Sequence, residues 1–287
     1  MINYKIILTN FVALKMKIIN LYLQVLLIST NFAFSQLHTK NIKPFKAGES
    51  LEYIVHYGIF NASYASLKLS EETINDSTVI LASGYGKTIG LARLFFKVED
   101  YYSSYFKQDK VQPVLFKRNI YEGGYTKNLE VEFDQNNNKA IVNNIKKQTT
   151  EVFETKNNVQ DLISALYYLR KNFSEEETQI GEEFKINMFY DSKNRELPLK
   201  YQGREVIKSK FGKIECLKFM PTTNRCRIFK GEGSITIWLT NDKNRIPIRV
   251  QADLLVGSIK ADLEKFSGVA NPLQIIVENW WKEFLHY

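Results

Sequence analysis

Apolar and polar residues alternate with a period of two along most of this chain. Leu51, Tyr53, Val55 and Tyr57 alternate with Glu52, Ile54 and His56; Ala65, Leu67 and Leu69 with Ser66 and Lys68; Leu129, Val131 and Phe133 with Glu130 and Glu132. The second half repeats this at Phe184, Ile186, Met188 and Tyr190, at Ile235, Ile237 and Leu239, at Ile246 through Leu254, and at Ile259, Ala261 and Leu263. A strand sends successive side chains to opposite faces, so these runs predict half-buried strands with one wet face, as in antiparallel sheets. Val79–Gly84, Phe95–Phe106 and Val114–Tyr121 are rich in Phe and Tyr, which favour strands. Turn residues fall between the runs, at Asn75-Asp-Ser77, Glu122-Gly-Gly124, Asp134 to Lys139, Asp242-Lys-Asn244 and Leu255-Val-Gly257.

Two stretches break this pattern. In 158–171, Val159, Leu162, Ile163 and Leu166 recur at helical spacing, with Asn158 as the expected N-cap and Asp161 reaching back to it. The flank Asp161, Ser164, Ala165 and Tyr168 is small in the middle, which suits a helix covered on two sides. From Asn271, a cap followed by Pro272 and an apolar face (Leu273, Ile276, Val277, Trp280, Phe284, Leu285) predicts a second, amphipathic helix. It is read as a lid over an open end, with weak membrane-surface contact through 271–287 as the alternative. The expected fold is mainly β: a curved antiparallel sheet or open barrel with one central helix and a C-terminal amphipathic helix.

The N-terminus sets the compartment. Lys15 and Lys17 precede the apolar run Ile18–Ile28, and Ala33 and Ser35 take the small-residue positions of a cleavage site. The run is short for a bilayer span, so 1–35 reads as a secretory signal segment, with Met16 a candidate start and an uncleaved anchor the alternative. Residues 36–47 read as a linker, 48–266 as the β-rich domain and 267–287 as a helical tail. Losing 1–35 removes three lysines and no acid, so the net charge falls from +8 to +5. That is ordinary solubility charge, and no nucleic-acid partner is expected. In an oxidising compartment Cys216 and Cys226 are a candidate disulfide, two buried thiols being the alternative.

Candidate chemistry is sparse. Three histidines, His38, His56 and His286, and the absence of H-x-x-x-H or C-x-x-C argue against a metal site. No G-x-S-x-G elbow supplies a nucleophile, so no catalytic residue and no cofactor is assigned. Gly86-Lys-Thr88 and Gly84-x-Gly86 only approximate phosphate-loop and dinucleotide fingerprints, and they sit among strands. Thirty-eight Phe, Tyr and Trp residues are ample for one core and allow a cavity for an apolar ligand. Ser164, Tyr167, Tyr168 and Trp238 are the candidate ligand-binding residues.

Several motifs occur in an order that resembles the bacterial domain-of-unknown-function family 3108. They are Gly48-Glu-x-Leu-x-Tyr53-x-Val-x-Tyr-Gly58, Phe96-x-Val-x-Asp100-x-Tyr-Ser103, Pro113-x-x-Phe116 and Asp161-x-x-Ser-Ala-x-Tyr-Tyr-x-Arg170. Gly212-x-x-x-Cys216, Trp238-x-x-x-Asp242-x-x-Arg-x-Pro247 and Gly257-Ser-Ile-Lys-Ala-x-Leu263 follow. The resemblance implies an exported bacterial protein and brings no catalytic residues. The resulting expectation is a periplasmic or envelope-associated protein, non-enzymatic, binding a lipid or other hydrophobic ligand in its curved sheet. The alternatives are an interaction protein with an envelope partner and no small ligand, and a hydrolase of envelope polymers using carboxylates such as Asp100, Glu122 or Asp242.

Overall fold

The computed structural model describes residues 43–222 and 235–276. Fourteen strands form one antiparallel sheet. The first eight are β1 (Ser50–Tyr57), β2 (Phe60–Ile74), β3 (Ser77–Thr88), β4 (Val98–Lys107), β5 (Gln112–Glu122), β6 (Tyr125–Asp134), β7 (Lys139–Asn144) and β8 (Thr149–Glu154). The other six are β9 (Glu183–Tyr190), β10 (Lys193–Ser209), β11 (Gly212–Pro221), β12 (Ile235–Thr240), β13 (Pro247–Asp253) and β14 (Ser258–Ser267). Consecutive strands are neighbours throughout, except that β1 pairs with β14 mid-sheet and β8 and β9 are the two edges. This is the order of an up-and-down barrel left unzipped at one seam.

The sheet does not close by hydrogen bonds, but it curls until its edges share apolar side chains. Phe189 of β9 meets Phe133 of β6 and Phe153 of β8, with ring centroids 6.2 and 5.7 Å apart. Chain leading out of β8 lies along the β9 edge: Gln160 N–H donates to Asn187 O, and Phe189 N–H to Gln160 O, both at 2.8 Å. An otherwise bare strand edge is thereby covered.

Two helices occur among the described residues, α1 (Gly90–Phe95) between β3 and β4, and α2 (Ser164–Asn172) in the crossover from β8 to β9. The sequence pattern predicts one central helix over 158–171; the observed helix starts six residues later. Asn158 has φ of 53°, which takes it out of the helix. The functioning cap is Asp161. Its Oδ1 accepts the N–H groups of Ile163 and Ser164 at 2.8 Å, while Ser164 Oγ accepts Asp161 N–H at 2.9 Å. That reciprocal pair is a capping box moved three residues along. α1 was not expected at all.

The predicted C-terminal helix does not begin at Asn271. Residues 271–276 run without helix, and Ile276 forms a bridge with Lys213. Asn271 instead donates through Nδ2 to Lys43 O at 3.1 Å. The rest of that prediction, with Trp280 and Trp281, lies outside the described residues, as do the signal segment 1–35, most of the linker, and Cys226. No described helix is long and apolar enough to cross a membrane.

α2 lies against the concave face and is packed by both halves of the sheet. Ala165 and Leu169 join Ile186, Leu199, Leu217 and Leu239, while Tyr167 joins Leu69, Ile80 and Phe106. One end of the curled sheet is closed by a buried lock. Arg170, with no exposure, donates to both Glu49 carboxylate oxygens at 2.6 and 2.8 Å, to Pro44 O and to Asn244 O. Its guanidinium also lies over the rings of Phe45 and Tyr167. A bidentate, fully bonded arginine is the arrangement that makes a buried charge tolerable.

Candidate functional site

Beyond α2, toward the other end of the sheet, lies an open apolar cavity of about 340 Å³. Its floor is Ile163, the residue before α2, and Leu166, in the first turn of α2; its walls come from β1–β4 on one side and β12–β14 on the other. Register explains the empty volume. Tyr53, Ala65, Gly86 and Asp100 are partners in one row across β1 to β4, and Leu67, Gly84 and Tyr102 form the next. Opposite them, Ile237, Val250 and Ala261 align across β12 to β14. Small residues at 65, 84, 86 and 261 leave the concave face unfilled where longer side chains would meet.

The two glycines differ. A Cβ on Gly84 would come within 3.2 Å of Ile163, whereas one on Gly86 would meet nothing within 4 Å. Gly84 therefore lets α2 approach, and Gly86 faces the void. The sequence comparison with nucleotide fingerprints missed this role. Two glycines two apart in a strand share one face, and that spacing was the available signal.

Asp100 is the carboxylate in the lining. Burial holds its carboxyl above the usual range, the nearby Glu122 adds to this, and Tyr121 N–H, donating to Oδ1 at 3.2 Å, opposes it. Ser66 also borders the cavity, but alternation with Ala65 and Leu67 turns its side chain to the other face. Asp242 is elsewhere: its Oδ1 accepts from Thr240 Oγ1 and from the N–H groups of Asn244 and Arg245, holding the β12–β13 turn. Among the described residues no cluster of His, Cys, Asp and Glu is fit to hold a metal.

The four candidate residues lie outside this lining. Tyr167 is fully buried, 5.0 Å from Phe45 and 5.5 Å from Phe106 between ring centroids. Tyr168 packs beside Phe184, and Ser164 belongs to the capping box of α2. Trp238 is buried with the core around β1 and β11, its Nε1 donating to Glu205 at 3.1 Å. Ile163 and Leu166 are the residues through which α2 reaches the cavity. Cys216 is buried in the same core as Trp238, and burial pushes its thiol up to about 12.

A family model of proteins of unknown function, DUF3108, matches residues 52–264, which takes in most of the sheet and all of α2. The chain belongs to the DUF3108 family. Some motif residues that carry the resemblance meet at the closed end, where Glu49 holds Arg170 and Arg245 donates to Arg170 O, and others, Tyr53, Asp100, Tyr102, Pro247 and Ala261, line the cavity. Among solved structures, a β-barrel-like protein of the domain of unknown function DUF1849 from Brucella abortus superposes on this DUF3108 chain with a TM-score of 0.48. The identity is 9%, over 79% of this chain and 99% of that one. A DUF1089 family protein from Pseudomonas aeruginosa gives a TM-score of 0.36 at 10% identity, over 76% and 97%. No curated protein matches the sequence.

Proposed function

We propose that this protein is an exported, envelope-associated carrier or sensor that binds one apolar ligand, such as a lipid acyl chain, in the cavity above α2. The observation that carries the reading is the cavity: open, about 340 Å³, and walled by Leu67, Ile163, Leu166, Ile237 and Val250 with little polar surface. That volume falls within the roughly 300–1,000 Å³ of small-molecule sites. An apolar void of this size forfeits contacts that a filled core would make, so an occupant with matching surface is favoured. Asp100 supplies one polar contact, suited to a ligand hydroxyl or amide. Glu122 stands beside Asp100 but outside the lining, so ligand holding is better supported than carboxylate-pair hydrolysis, for which two carboxylates must face the same bond.

The test uses N-phenyl-1-naphthylamine displaced by oleic acid. The parent protein is expected to bind the fluorophore and release it to oleic acid. Gly86→Leu adds a side chain into open space at a φ that ordinary residues adopt, so it is expected to fold normally and bind roughly tenfold more weakly or worse. A parent that binds no fluorophore, or a Gly86→Leu protein that binds it equally, overturns the reading in favour of an interaction protein without a small ligand.

A further inference from the structure

Alternate hairpins of an antiparallel meander lie at the same end of the sheet. The turns β1–β2, β3–β4 and β13–β14 therefore stand together at the end opposite the Arg170 lock, on strands that wall the cavity. Their tips are unusually apolar. Nine large apolar side chains among the described residues are more than 60% exposed, and seven are on these three turns: Ile59 and Phe60, Leu91, Leu94 and Phe95, Leu255 and Val256. Chance scatter does not concentrate them so, and clustered exposed apolar surface marks an interaction site.

The turns are held in this pose. Thr88 Oγ1 donates to Phe96 O and accepts Val98 N–H, clipping the ends of the α1 loop together. Gly123, at φ of 56°, lets the Phe96 ring sit where a Cβ would stand 2.2 Å away. Tyr57 reaches across to Val256 O, tying the β1–β2 and β13–β14 turns together. No residue of α1 is buried.

The surroundings identify the occupant. Half-exposed Tyr57, Tyr101, Tyr121 and Tyr125 lie at or near the same end of the sheet, amphipathic rings of the kind found at membrane interfaces. Lys87, Arg93, Lys97 and Lys260 lie in or near these turns against Glu99, Asp100, Glu122 and Asp253, so charge there is close to balanced. Glu99 is itself bridged by Arg93 at 3.0 Å and by Lys97 at 3.9 Å. Projecting apolar tips with amphipathic tyrosines beside them suit a bilayer interface better than the flat complement of a second protein copy. We infer that these three hairpin tips dock on a lipid surface, setting the cavity mouth toward the bilayer. The inference rests on the apolar-ligand reading for its purpose and not for its test.

The experiment is flotation of the full chain with vesicles of phosphatidylethanolamine and phosphatidylglycerol (3:1), with phosphatidylcholine vesicles as the neutral comparison. Leu94→Glu/Phe95→Glu is expected to lower the bound fraction roughly tenfold with an unchanged melting temperature. Ile180→Glu, at an exposed position in the β8–β9 crossover, is expected to bind like the parent. Gly86→Leu is also expected to float like the parent, so that a failure of ligand binding and a failure of docking are read separately. Three results overturn the inference: a parent that floats with neither kind of vesicle, equal binding by the double variant, or a parent dimer that the double variant turns monomeric with no loss of vesicle binding. The last would make a second copy the occupant.

Discussion

Arg170 shows how a single residue decides one end of this molecule. Its guanidinium joins α2 to the segment before β1 and to the β12–β13 turn, regions far apart in sequence. The sequence places Arg170 only near the end of the predicted helix 158–171, and its partner Glu49 lies 121 residues away. Nothing local in either stretch announces that pairing. Removing Arg170 leaves Glu49 buried and uncompensated, so Arg170→Leu is expected to destabilise the fold by roughly 3–5 kcal/mol. Glu49→Gln/Arg170→Leu together should cost less than the sum of the two single changes. Urea unfolding of the four proteins checks this, and strict additivity would show that the pair is not the lock described.

At the scale of elements, strand grammar was readable because each half-buried strand writes its own period into the chain. β1, β2, β6, β12 and β13 were visible for that reason. β7, β8, β10 and β11 were not singled out, since their alternation is blurred by polar residues such as Glu151 and Arg204. The start of α2 was misplaced because Asn158 and Asp161 are both good caps, and only the tertiary contact of Asp161 separates them: Ser104 Oγ donates to its Oδ2 at 2.6 Å from β4. Burial pushes the Asp161 carboxyl up to about 6, against the hydrogen bonds from Ser104 and the helix start. A raised carboxyl pKa means that the folded protein binds more protons than the unfolded chain between about pH 4 and pH 6. Stability from this group is therefore fullest below that window and declines as pH rises through it. Asp161→Asn keeps the acceptor for the two N–H groups and does not titrate. The parent's stability relative to that variant is expected to fall by roughly 1–3 kcal/mol from pH 4 to pH 7. Chemical denaturation at both pH values reads this, and a difference independent of pH would contradict the burial of an ionisable Asp161.

For the whole molecule, the expectation of a curved antiparallel sheet with a helix against it agrees with the structure, and the family resemblance is shown. What composition could not reveal was where the sheet is left unfilled. An excess of aromatic residues suggested a cavity, yet the aromatics around Tyr167, Phe173 and Phe189 fill the core, and others such as Phe60, Phe95 and Tyr125 are exposed. The void arises instead from small residues aligned by register, at Ala65, Gly84, Gly86 and Ala261. Register is a long-range property that no single strand encodes alone. The resulting division is simple: one end locked by Arg170, the other open above Ile163 and Leu166. The central claim is that an apolar ligand enters this cavity, and methyl-labelled NMR during titration with oleic acid tests it most directly. The account predicts shift changes at Leu67, Ile163, Leu166, Ile237 and Val250, with Leu169 and Ile186 unmoved. Changes confined to Ile59, Leu91 and Leu94, or no changes at all, would contradict it.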